Sequence, residues 1–106
     1  MSSFELSDLG DGCFVLRGDM SFNTVEPILR ASEKLFDGLS NIEIDLSGVE
    51  KTDSAGLALL LEWISWANYA ETEIRFAGTP AKMRAIAQTT EVDNILKRYY
   101  SLSSQQ

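Results

Sequence analysis

Within one short stretch, the carboxylates of Asp45 and Asp53 and the hydroxyl of Ser54 are the side chains best placed to do chemistry. Paired carboxylates can share general acid and general base work, but only if a pocket drives their pKa values apart. Nothing in the flanking sequence supplies such a pocket, so a helix cap and a loop anchor are the simpler roles for them. A serine nucleophile needs a base to take its proton, and the chain has no histidine. The single thiol, Cys13, lies in the apolar run Cys13-Phe14-Val15-Leu16 with only Arg17 as a nearby cation, which predicts a buried structural cysteine. One cysteine and no histidine give no zinc set. No glycine belongs to a GxxxxGK[ST] or GxGxxG pattern. No cofactor and no catalytic residue are therefore expected, and what remains is hydrogen bonding at Asp53-Ser54-Ala55-Gly56.

The surrounding composition suits a single soluble domain. Of 106 residues, 44% are hydrophobic and 24% charged, enough to bury a core. The formal charge of −7 repels nucleic acid and anionic membrane surfaces and suits solubility or a basic protein partner. The N-terminal Met1-Ser2-Ser3-Phe4-Glu5 does not read as a signal peptide. The apolar stretch from Ala55 to Ile64 contains Glu62 and is too short for a bilayer, so direct membrane insertion is not expected.

The elements that must hold the motif follow from periodicity. Phe4-Glu5-Leu6-Ser7 alternates as a half-buried strand does, Asp8 to Gly12 is turn chemistry, and Cys13 to Gly18 returns as the second strand of a hairpin. Asn23 or Thr24 can cap a helix that tolerates Pro27 in its first turn and repeats Val25, Ile28, Leu29, Leu35 and Phe36 on one face. A strand is expected from about Asn41 to Leu46, then a loop over 47–53, then a long helix from about Ser54 to Tyr69. Glu73 to Ala77 gives another strand. Thr79-Pro80 opens a further helix, and Val92, Ile95 and Leu96 are expected to close the core. The order β-β-α-β-α-β-α predicts an α/β fold with a mixed sheet, parallel except for the hairpin. A single domain over 1–100 and a flexible tail over 101–106 complete the expectation.

Asp53 or Ser54 can accept hydrogen bonds from the free N–H groups of the long helix, and Asp53 complements the positive end of its dipole. Gly56 allows close approach by a strand or a partner. These residue types alone are more simply read as a well-capped core helix, since helix caps are far commoner than functional helix starts. However, the string Asp45-Leu46-Ser47…Asp53-Ser54-Ala55-Gly56-Leu57 resembles the signature of STAS domains, found in anti-sigma-factor antagonists and sulfate transporters. Residues 53–61 are similar in particular to the MlaB-like STAS subunit of the Mla phospholipid ABC transport system. In the antagonists the serine just before the glycine accepts a phosphate; here that position is Ala55, which has no hydroxyl, whereas Ser54 is retained.

The resemblance implies a non-enzymatic cytoplasmic subunit. It would bind the ABC transporter ATP-binding subunit (MlaF-like) in a complex with a membrane permease, and so lie peripheral to the inner membrane. The alternative is an anti-sigma-factor antagonist in a partner-switching cascade. Advancing about 100° per residue from Leu57 puts Leu60, Leu61 and Ile64 on its side of the helix and Leu59, Trp63 and Trp66 on the other. Either neighbouring helices cover this second stripe or it meets a partner. The expected partner-binding set is Asp53, Ser54, Ala55, Gly56, Leu59 and Trp63.

Overall fold

A computed structural model describes residues 3–101. The hairpin forms as expected: β1 (Phe4–Gly10) pairs antiparallel with β2 (Cys13–Met20). Next come α1 (Val25–Phe36), β3 (Asn41–Thr52), α2 (Ser54–Ala70), β4 (Glu73–Ala77), α3 (Ala81–Thr89) and the short α4 (Asp93–Leu96), which runs into a 3-10 turn over Lys97–Tyr99. The sheet order is β1-β2-β3-β4, with β2, β3 and β4 parallel. Each parallel pair is separated in sequence by a helix, as a parallel crossover requires.

Alternation along the strands decides the faces. Phe14, Leu16, Ile42, Ile44, Leu46, Ile74 and Phe76 are buried in one core cluster with Ile28 and Phe36 of α1, Leu57, Leu60 and Ile64 of α2, Met83 of α3 and Leu96 of α4. Glu43, Glu73 and Arg75, one residue out of phase, are exposed. The same phase corrects the reading of Cys13. Phe14 and Leu16 take the inward positions, so Cys13 stands on the other face beside Glu43 and is exposed.

A second correction concerns β3, which does not end at Leu46 but continues to Thr52. Beyond Asp45 it has lost β4 as a neighbour, yet β2 still pairs with it as far as Met20↔Thr52, through two register shifts. With a single paired neighbour and the alternation broken, Ser47-Gly48-Val49-Glu50-Lys51 has the composition of a loop while its backbone is paired. At the C-terminal end, Leu96 is buried and Val92 half-buried, but Ile95 is exposed, contrary to expectation. Of the predicted flexible tail, Ser101 donates its N–H to the Phe76 carbonyl at 2.8 Å, and the rest lies outside the described residues. No helix among the described residues is long and apolar enough to cross a membrane.

Candidate functional site at the start of the second helix

The start of α2 is built around one carboxylate. Asp53, in extended conformation, is the N-cap, and its Oδ1 accepts the N–H groups of Ala55 at 2.9 Å and Gly56 at 3.3 Å. Its Oδ2 accepts the N–H of Phe22 at 3.1 Å, from the loop that joins β2 to α1. One side chain thus satisfies two of the helix's free donors and ties a second loop to the same point. Partial burial, the largest single influence, pushes the Asp53 carboxyl up. The three backbone donors and the Lys82 ammonium of α3 outweigh it and hold the carboxyl below its ordinary value.

Gly56 positions this turn. A Cβ added there would lie 2.4 Å from Thr52 Oγ1 and 2.5 Å from the Met20 carbonyl oxygen, so only glycine lets α2 start this close to the ends of β2 and β3. The close approach left open by the sequence is made to the protein's own strands; Gly56 is buried. What faces solvent is Ser54, with Ala55 half-buried beside it and Ala58 one turn on. The Ser54 hydroxyl makes no hydrogen bond among the described residues.

The β2–α1 loop supplies the apolar partner of this tip. Thr24 Oγ1 accepts the Ser21 N–H at 3.0 Å and donates to the Asp19 carbonyl at 2.9 Å, and both Ser21 and Thr24 are buried. Thr24 therefore fastens the loop from within and does not cap an α1 N–H group with its side chain. The rigid loop holds Phe22 in solvent, 79% exposed, with its backbone bonded to Asp53. Sequence reasoning missed Phe22 and Lys82. The setting of Phe22 among Ser21, Asn23 and Thr24 does signal an aromatic outside the core, but only the fold brings its backbone to Asp53, the neighbour of Ser54.

The expected apolar stripe is corrected. Leu59 is 4% and Trp63 1% exposed, so neither stands on the outer surface. The second helix lies between α1 and α3, and α1 covers this flank. Trp63 packs against Phe36 of α1 and Phe76 of β4, with ring centroids 5.8 and 6.3 Å apart, and its Nε1 donates to Ser32 Oγ at 2.9 Å. Trp66 is half-buried against Phe36. Of the six partner-binding candidates, Asp53, Ser54, Ala55 and Gly56 meet at the tip, whereas Leu59 and Trp63 belong to the core. Asp45 is elsewhere, capping its own turn by accepting the Ser47 N–H at 2.9 Å.

Comparison with known proteins places this geometry. No curated protein matches the chain closely enough to be paired with it. Among solved structures, the fold is similar to the anti-sigma factor antagonist SpoIIAA in its unphosphorylated form, with a TM-score of 0.67 and 18% identity over 92% of this chain and 85% of that one. A sulfate transporter family protein from Wolinella succinogenes gives 0.67 and 11% over 89% and 80% of the two chains. An anti-sigma factor antagonist from Mycobacterium paratuberculosis gives 0.62 and 25% over 87% and 80%. The family model described as "Mlab, STAS domain" matches residues 8–97, and a mixed sheet with a carboxylate-capped helix after its third strand is the fold those residues make: the chain belongs to the STAS domain family.

Proposed function

We propose that this chain is a non-enzymatic docking subunit of a phospholipid-transport ABC system. In this reading it binds the cytoplasmic ATP-binding subunit and holds it in its complex with the membrane permease. The observation that carries this reading is the tip itself: an exposed aromatic, Phe22, and an exposed, unengaged hydroxyl, Ser54, joined through Asp53 into one preorganised surface. Exposed aromatics on rigid supports are the usual anchors of protein interfaces. The description of the family model, and the likeness of residues 53–61 to the MlaB-like branch, support an ABC system as the setting. The ATPase supplies the chemistry; this chain supplies shape.

The rival reading, an antagonist of an anti-sigma factor, draws on the 25% identity to the Mycobacterium protein. Against it stands Ala55, which has no hydroxyl at the position that resembles the phosphate acceptor. The deciding experiment is calorimetric binding of the cognate ATP-binding subunit, with a thermal melt of each variant. Phe22→Ala should cost ~2 kcal/mol of binding, about 30-fold in affinity, with the melting temperature unchanged. Ser54→Arg should weaken binding as well, by bulk and by a cation placed at the positive helix end. If both variants fold and bind like wild type, the tip is not the interface. Stoichiometric phosphorylation of Ser54 by an anti-sigma kinase would favour the rival.

A further inference from the structure

A second concave surface lies between α3 and the C-terminal turns, and none of the tip residues Phe22, Asp53 and Ser54 lines it. Its volume is about 600 Å³, within the range of small-molecule sites. Ala81, Arg84, Ala85 and Gln88 recur at helical spacing and form one wall; Asp93, Lys97 and Tyr100 form the other. The two alanines leave the room, and the longer side chains are mostly donors.

Those donors are unevenly used. The Arg84 guanidinium makes no hydrogen bond or ion pair among the described residues, although Arg84 is half-buried. Lys97 lies 3.4 Å from Asp93, which occupies the cleft's one carboxylate and leaves ammonium donors to spare. Tyr100 is only 9% exposed, and its buried hydroxyl has no hydrogen-bond partner. A buried hydroxyl without an acceptor is costly and uncommon in a folded protein. Burial raises the Tyr100 pKa and Asp93 raises it further, with Arg84 opposing, so the phenol remains a proton donor at neutral pH. Two cations therefore face one engaged carboxylate, in a chain whose net charge is −7.

We propose that this cleft binds a small soluble phosphate monoester, with Arg84 and Lys97 holding the phosphate and Tyr100 donating its hydroxyl. The guanidinium fork matches phosphate oxygens in pairs, and the volume leaves space for an organic group beyond the phosphate. The net charge argues against the headgroup of an anionic membrane as the source of that phosphate.

The test is amide-resolved NMR titration of the full chain with glycerol 3-phosphate, with inorganic phosphate, and with chloride at matched ionic strength. Glycerol 3-phosphate should give saturable shifts at Arg84, Gln88, Lys97 and Tyr100. Arg84→Gln should weaken them roughly tenfold. Tyr100→Phe should weaken binding while leaving the ligand-free melting temperature equal or higher, since it removes an unpartnered buried hydroxyl. The proposal is overturned if chloride reproduces the shifts, if they gather at the start of α2, or if Arg84→Gln binds like wild type. Tight binding to phosphatidylglycerol vesicles that Arg84→Gln abolishes would overturn it too, by assigning the cleft to a lipid headgroup.

Discussion

The tip of α2 and its middle turns are parts of one unbroken helix, yet different forces hold them. At the tip, Asp53 gathers three backbone N–H groups from two segments, while Ser54 and Phe22 stay in solvent. Two turns on, Leu59 and Trp63 are buried, Trp63 between α1 and the sheet, where apolar contact dominates and its single polar atom is satisfied by Ser32. The tip is fixed by directional bonds and remains available for contact. The middle is fixed by packing and is spent on stability. A surface can be held in place without being buried, because the hydrogen bonds that fix it lie behind it.

The sharpest way to break this contrast is Trp63→Ala. Emptying a buried tryptophan site costs about 3–5 kcal/mol, a large part of a small domain's stability, so the variant should melt far below wild type or fail to fold. An unchanged melting temperature with a loss of partner binding would return Trp63 to the surface. Gly56→Ala comes next. The new methyl group meets the Met20 carbonyl, which cannot swing away as a side chain could. The strain should exceed the gain in helix propensity and cost about 1–2 kcal/mol in denaturant unfolding.

The smallest expected effect belongs to Asp53→Ala, where loss of the cap costs about 1 kcal/mol. Its pH dependence carries more information. The Asp53 pKa is lowered in the folded protein, so its charge contributes stability above the pKa of the unfolded chain. That contribution is lost as pH falls through the folded value. Asp53→Asn keeps a capping oxygen but removes the charge, so its stability should fall less steeply than wild type in acid. Equal acid dependence in the two proteins would mean that the carboxylate at the tip is not held by the donors assigned to it.

Local pattern determined much of this molecule. A cap at Asp53 or Ser54 was legible because a short polar side chain just before an apolar run meets free N–H groups within its own reach, and helical spacing put Leu57, Leu60 and Ile64 together on one buried stripe. The β-β-α-β-α-β-α order was legible for the same reason, since each period is set by near neighbours. Tertiary structure alone decided the rest. Periodicity says how many apolar faces α2 has but not which neighbour covers each, so the burial of Trp63 depended on where α1 came to lie. A polar strand beside a single partner has the composition of a loop, so the end of β3 depended on β2 running alongside it. Phe22 and Asp53, like Arg84 and Tyr100, are distant in sequence and share no local pattern. They meet only because chain crossovers bring together backbone that burial and hydrogen bonding then lock in place.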